Sequence, residues 1–286
     1  MSAIDRLEKK TARQISKEYN DALKAAVRKS KDFLRRARDV SNGKIKAPSG
    51  LRTEKQIEAW KRGYMRRALE RTNAVEKIAA EMAAAGIKTR KRTQSMLSTV
   101  YSMSAKNTTE LLDKSLPANL PEITKRQAGI LLYDDGRAGV FSKIAFKNLG
   151  SDKRAVKRLR NEFAAGIMKG EDDEQLIKRI RDVTGMELND AKRILRTERT
   201  HIESLAEQDT ALEHYRATGI RHKKRWICMF RNSRDSHMEM HGQTVYIDED
   251  FILPSGQPIS YPGDSRAGAA EVCNCQCRLE IIAGDK

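Results

Sequence analysis

Apolar residues in the first 40 positions recur at the spacing of a helix. Ile15, Tyr19, Leu23 and Val27 follow one another at steps of four, and the pattern extends in both directions. Such a stripe is typical of an amphipathic helix with one buried face. The pattern stops at residues 41–50, which are rich in Gly, Ser and Pro and therefore predict a linker.

Two more long helices are predicted in the N-terminal part of the chain. Thr53 and Gln56 have the spacing of a capping box, which marks the start of a helix. Its apolar stripe continues toward Gly86, and the glycine predicts the C-terminal end of this helix. A third helix is expected over about 89–115, ending before Pro117. At 1.5 Å of rise per residue, each long helix would extend roughly 40–50 Å.

The middle of the chain has a weaker pattern, and the character of the sequence changes after Gly219. We expect a short helix over 121–132, a loop over 133–141, helical segments around 156–167 and 176–183, and a last helix over 188–218.

Strand signals follow this last helix. Residues 225–230 alternate, which places Trp226, Cys228 and Phe230 on one face of a strand. Further strands are predicted at 244–247 and 277–282, on either side of a Pro/Gly-rich stretch.

The expected fold is therefore mainly α, with long amphipathic helices followed by a small C-terminal α+β domain that holds a short antiparallel sheet. We predict a basic helical arm or bundle over 1–115, a helical middle region over 116–189, and the C-terminal domain over 190–286.

Charge is unevenly distributed along the chain. The formal net charge is +17, with balances of +15 over residues 1–100, +5 over 101–200 and −3 over 201–286. Lysine and arginine that neutralise phosphates release condensed counterions, so a basic segment attracts nucleic acid. An acidic protein partner and a simply solvated helical face both remain alternatives.

Targeting signals and membrane spans are not expected. The N-terminus is charged from Asp5 onward, and no stretch approaches the roughly 18 uncharged apolar residues that a span requires. We expect synthesis in a cytoplasm. Because that compartment is reducing, the four cysteines are not expected to form disulfides.

The candidate chemistry lies in two C-terminal clusters. His237 and His241 are four residues apart, so a helical turn would place both imidazoles on one face. Cys275 and Cys277 alternate, so a strand would direct both thiols to one side, and Cys273 with Cys275 would do the same. Two His and two Cys form a chemically sensible zinc site, which would stabilise a small domain.

An ordinary structural interpretation of the same residues stays open. The His spacing occurs by chance in many helices, and alternating cysteines also behave as small hydrophobic residues of a half-buried strand. The spacing differs from the CxxC pairs of zinc ribbons and fingers. Cys228 is expected in the core, since it alternates with Trp226 and Phe230.

Taken together, the C-terminal motifs resemble the phage Mu F-like head morphogenesis family. They are Arg234 and the RDSHMEMHG string (234–242), the YPGD loop (261–264) and the NCQC end (274–277), preceded by RTE (196–198) on a helix. Gln276 stands where the family usually has Arg. Some relatives have a Cys pair in place of Arg234 and His237, and Cys and His are interchangeable zinc ligands.

The resemblance implies a minor capsid protein. Such proteins are non-enzymatic components of the virion that associate with the portal, capsid or scaffold proteins and in some cases with double-stranded DNA. It implies a location in the head interior or at the portal vertex.

Two enzymatic functions are the alternatives to a minor capsid protein. A nuclease would use Asp235, His237 and His241 around a divalent ion, but the cysteines follow the histidines instead of bracketing them. A transferase is a second alternative, because Mu F-like domains occur fused to transferase toxins. RTE (196–198) alone is a weak signal for it.

Overall fold

The fold is described by a computed structural model for residues 2–114, 117–130, 132, 158, 161–162, 165–166, 169, 171, 173–184, 188–230 and 233–284. The expected architecture is confirmed, with long N-terminal helices and a small C-terminal region of short antiparallel sheets. Across these residues, no helix combines the length and apolar character that crossing a bilayer would demand.

The first predicted helix is divided into two. Helix α1 spans Ala3–Lys29 and helix α2 spans Lys31–Ser41. At the junction, the hydroxyl of Ser30 donates to the carbonyl of Ala26 at 2.9 Å, and the Ser30 amide bonds to Val27. Serine competes with helical hydrogen bonds in this way, which explains a break that apolar spacing does not reveal.

The next boundary lies at Asn73, and the predicted stop at Gly86 is wrong. Helix α3 spans Glu54–Thr72 and begins with the predicted capping box of Thr53 and Gln56. Asn73 adopts the left-handed conformation (φ +49°), which asparagine tolerates better than most residues. Helix α4 then runs through Gly86 without interruption.

Helix α4 spans Ala74–Asp113 and ends before Pro117, as predicted. Gly86 is buried where a methyl group would lie 3.6 Å from the hydroxyl of Tyr19. That distance is an ordinary van der Waals contact, so Gly86 is a buried interior residue of α4 and not a stop.

The helices of the middle region are shorter. Helix α5 spans Lys125–Gly129 and begins with a capping box at Thr124. Helix α6 spans Asp173–Thr184, and helix α7 spans Leu188–Thr218 and closes at Gly219, as predicted. The predicted loop over 133–141 and most of the helical segment at 156–167 lie outside the described residues.

A three-stranded antiparallel sheet with the order β2-β1-β5 forms the C-terminal region. The elements after α7 are β1 (Lys223–Ile227), α8 (Asp235–Glu239), β2 (Thr244–Tyr246), β3 (Phe251–Ile252), β4 (Pro258–Ile259), a 3₁₀ turn (Ser265–Ala267), α9 (Gly268–Val272) and β5 (Arg278–Ile282). Strands β3 and β4 pair separately. In the central pairing, Trp226 lies opposite Leu279.

The prediction that Phe230 shares the buried face of Trp226 and Cys228 is wrong. Strand β1 ends at Ile227, and Phe230 has φ +57° and is 55% exposed. The chain has turned by that point, so strand alternation no longer decides which way the side chain points.

The chain forms two compact units, each assembled from segments that are distant in sequence. One comprises Met1–Ala12, Lys91–Ala145 and Ala191–Lys286, and the other comprises Arg13–Arg90 and Phe146–Asp190. Trp226, Tyr101 and Phe251 are fully buried in the first unit, and Phe33 and Ile78 in the second. The three sequence-based domains stay a prediction.

Candidate metal centre

Three of the four candidate ligands come together in the C-terminal region. His237 lies on α8, and Cys275 and Cys277 lie in the segment that leads into β5. The Nδ1 atom of His237 is 3.5 Å from the Sγ atom of each cysteine. Among the described residues, these three donor atoms form a group within 4.8 Å of one another, and all three side chains are buried.

The far side of the His237 ring is bound by a carboxylate. Its Nε2 atom lies 2.9 Å from Oε2 of Glu271, which also accepts a hydrogen bond from the hydroxyl of Ser236 at 3.0 Å. An Nε2–H that donates to Glu271 leaves the lone pair on Nδ1, facing the two thiols. A carboxylate behind a histidine is the usual way in which proteins fix the tautomer and orientation of a metal ligand.

Helix α7 holds the cysteine segment in place. Asn274 adopts φ +59°, and its amide donates to the hydroxyl of Thr197 at 2.8 Å. Arg196 donates to the Asn274 side chain at 3.1 Å, and Thr200 donates to the carbonyl of Cys275 at 2.8 Å. The Arg and Thr of the RTE string therefore hold the turn that carries the cysteines.

The two thiols are electrostatically coupled. Their mutual hydrogen bond lowers the pKa of Cys275 and raises the pKa of Cys277, which burial raises further. One thiolate is thus stabilised at the expense of the other. A divalent cation between them would stabilise both negative charges.

The geometry fits a tetrahedral zinc ion. With Zn–N near 2.0 Å and Zn–S near 2.3 Å, tetrahedral angles place nitrogen and sulfur ligands roughly 3.5 Å apart. The observed nitrogen-to-sulfur distances of 3.5 Å match that value. Imidazole and thiolate are also the donors that zinc prefers.

His241 lies apart from the three grouped donors. Helix α8 ends at Glu239, so the helical face that would align His241 with His237 does not extend far enough. The exposed His241 accepts a hydrogen bond from the Cys228 amide through Nδ1 at 3.2 Å, and its ring packs on Phe230. Its structural role is in the loop that follows β1.

The sequence patterns did not identify Glu271 as a partner of the site, and they identified Arg234 only as part of a motif. Glu271 carries no motif, because its relation to His237 spans 34 positions of the chain. Arg234 donates to the carbonyl of Cys273 at 2.6 Å and so connects the start of α8 to the cysteine segment. Arg196 and Thr200 are four residues apart, so they lie on one face of α7. This spacing is the sequence feature that could have predicted a polar contact between α7 and another segment.

Comparisons with known proteins agree with the motifs. The model of the family described as Phage Mu protein F like protein matches residues 157–280. An NAD(+)--arginine ADP-ribosyltransferase EFV from Enterococcus faecalis (strain ATCC 700802 / V583) is 28% identical over 132 residues. That stretch is 45% of this chain and 26% of the relative, so the chain covers about a quarter of that protein.

No solved structure matches the chain significantly. The resemblance that the C-terminal motifs indicated is confirmed by the family match: residues 157–280 of this chain correspond to the Phage Mu protein F like family.

Proposed function

We propose that this protein is a bacteriophage minor head protein that acts in prohead assembly and in the packaging or delivery of DNA. The observation that carries the proposal is the match of residues 157–280 to the Phage Mu protein F like family. We further propose that it resides in the virion, in the head interior or at the portal vertex, where it contacts the portal and the capsid or scaffold proteins.

Double-stranded DNA is a proposed second partner, and helices α2 and α3 are the proposed contact. Their exposed cations outnumber their exposed acids, and the ion pairs of Arg35 with Asp32 and of Arg66 with Glu70 are exposed to solvent. Exposed pairs of this kind contribute little, so they leave Arg35 and Arg66 available to phosphate. The exposed cations are Lys31, Arg35, Arg36, Arg38, Lys55, Arg62, Arg66, Arg67 and Arg71.

We propose zinc as the ion of the His237, Cys275 and Cys277 site. Its function is structural, because the site joins α8 to the segment before β5 and the three donors are buried. A region with so small a sheet gains stability from a metal that binds only the folded state.

The head-protein proposal is tested by particle composition. Proheads and mature virions of a phage that encodes this chain are purified, and the protein is quantified by mass spectrometry relative to the portal. We expect a few copies per particle that persist through density-gradient purification. Recovery from the infected-cell lysate alone, with none in either particle, would contradict the proposal.

The transferase activity for which the Enterococcus faecalis relative is named defines a second measurement. The chain covers 26% of that relative, which leaves most of it without a counterpart here. Purified protein incubated with labelled NAD⁺ is expected to neither consume it nor transfer the label to arginine-containing proteins. Transfer of the label would replace the structural proposal with an enzymatic one.

The geometry does not favour the nuclease alternative. His237 is 3% exposed, with Nε2 on Glu271 and Nδ1 on the thiols, so it faces neither solvent nor a phosphate. Asp235 is exposed, and the Nδ1 atom of His241 is occupied by the Cys228 amide.

A further inference from the structure

Three grouped donors leave one position of a zinc tetrahedron to be filled. A structural zinc site is almost always four-coordinate and closed, whereas an open fourth position is characteristic of catalytic zinc. The site of His237, Cys275 and Cys277 is buried, which favours a fourth protein ligand.

The obvious neighbours do not fit this position. Glu271 is bonded to Nε2 of His237, on the side of the ring that faces away from the thiols. Cys273 is separated from Cys275 by the left-handed turn at Asn274, so the two thiols do not share a strand face. His241 is exposed and bonded to the backbone of Cys228.

Cys228 lies on the correct face of the sheet. The register between β1 and β5 runs through Trp226 opposite Leu279 and ends with Ile227 opposite Arg278. Extended by one residue beyond the strand ends, it would put Cys228 opposite Cys277. Directly opposed residues of an antiparallel pair direct their side chains to the same face. Trp226 on that face packs edge-on against the His237 ring, with the ring centroids 5.4 Å apart.

The backbone that follows Cys228 folds back onto its thiol. The thiol is 3% exposed, and the amide of Phe230 donates to its Sγ atom at 3.4 Å. Phe230 itself has φ +57°, a strained conformation for a bulky side chain and one that persists only where surrounding contacts enforce it.

We propose that Cys228 is the fourth zinc ligand, giving a Cys₃His site in which Cys228 and His237 join Cys275 and Cys277. This inference rests on the proposed zinc site. The Cys228 thiol lies outside the group of atoms within 4.8 Å of one another. The proposal therefore requires the Cys228 side chain to rotate about its Cα–Cβ bond when the ion binds. Glu271 acts as a positioning residue through His237, and His241 positions the backbone of Cys228.

The decisive experiment is zinc X-ray absorption spectroscopy on the zinc-loaded full-length chain, because it needs no substitution. The expected shell is three sulfur atoms near 2.3 Å and one nitrogen near 2.0 Å. A shell of two sulfurs and two nitrogen or oxygen atoms overturns the assignment of Cys228 and leaves the zinc proposal standing. If the wild-type chain retains no zinc after dialysis, the zinc proposal itself fails.

A matched pair of variants gives a second, independent readout. Cys228→Ser should weaken zinc affinity, measured by competition with a chelator, by more than about 100-fold, since even loss of an outer-shell partner costs 10–100-fold. Cys273→Ser, in the same cluster, should leave the affinity unchanged. Equal affinities for the two variants contradict the proposal, and the absorption spectrum decides alone if Cys228→Ser does not fold.

Discussion

Lys224 is a fully buried lysine in the centre of the C-terminal sheet. Its ammonium group donates to the side chain of Gln208 at 3.1 Å and to the carbonyl of Ser260 at 2.9 Å, and it lies over the ring of Phe251. Burial lowers its pKa from 10.5 to about 8, because the protonated form is poorly solvated there. The stability of the sheet should therefore depend on pH in the alkaline range where Lys224 loses its proton.

The first prediction concerns this lysine. Between about pH 8 and pH 10.5 the unfolded chain carries a proton that the folded chain has lost, so stability should rise with pH across that window, by up to about 3 kcal/mol. Urea unfolding at several pH values should reveal the rise in wild type and its absence in Lys224→Met. The exposed neighbour variant Lys223→Met should keep the wild-type slope, and an unchanged slope in Lys224→Met would refute the account.

A buried pair of histidines connects two elements, the end of α7 and the start of β1. Nε2 of His222 lies 2.9 Å from Nδ1 of His214, and the Gly284 amide donates to Nδ1 of His222. His222 therefore carries its proton on Nε2 and donates to His214, whose Nε2 lies 3.9 Å from Asp113. Burial, and then the charge of His214, lower the pKa of His222.

The second prediction follows from that lowered pKa. In the unfolded chain the His222 imidazole is protonated near pH 6.5, whereas in the folded chain it is protonated only at lower pH. The free energy of unfolding should therefore be at its full value above pH 6.5 and decrease as the pH falls below it. His222→Gln should show a weaker dependence of melting temperature on pH between 7 and 5 than wild type. His241→Gln, at an exposed position, serves as the control. If both variants reduced the pH dependence of the melting temperature by the same amount, this role of His222 would be contradicted.

Helix α3 is packed lightly for its length. Only Met65 and Ala68 are buried among its described side chains, while Arg67 and Arg71 are exposed and lie on the same side of the helix as Trp60 and Tyr64. The two aromatic rings pack against each other at 5.6 Å between centroids. A helix that keeps so much basic surface in solvent is suited to contact a polyanion.

The third prediction tests that surface. Arg67→Gln/Arg71→Gln should weaken binding to double-stranded DNA and reduce the slope of log affinity against log salt by up to about 2, one for each lost phosphate contact. Lys88→Gln/Lys91→Gln removes the same charge from α4 and should alter the slope less. An identical effect of the two variants would mean that net charge, and not the α3 surface, determines binding.

At the scale of the whole molecule, the proposed zinc site lies in one compact unit and the basic helices α2 and α3 lie in the other. Each unit has its own buried core, with Trp226 in the first and Phe33 in the second. A change confined to the metal site should therefore act first on the unit that contains it.

The fourth prediction uses hydrogen exchange on the full chain. Removing zinc with a chelator should speed amide exchange in β1, α8 and β5 by up to about 100-fold, the effect of losing a ligand held at 100 times its dissociation constant. Exchange in α3 should remain the same. Equal acceleration in both units would show that the metal stabilises the chain as one cooperative body.

Local pattern determined much of the secondary structure. Capping at Thr53, the stop at Gly219 and the final strand were all predicted from residues within a few positions of each other, because hydrogen bonding and apolar period act over that range. Predictions from neighbouring residues alone were wrong at Gly86, which lies against Tyr19 of a helix distant in sequence. They were also wrong at Phe230, where a turn ends the strand alternation.

The sequence by itself determined the types of residue available to a metal site and the C-terminal family resemblance. Only the tertiary structure decided that His237 and not His241 meets Cys275 and Cys277, and that Glu271 stands behind the imidazole. The reason is physical: these contacts join residues 34 to 40 positions apart. Their closeness depends on how α7 and the sheet pack, which the spacing of residues along the chain does not encode.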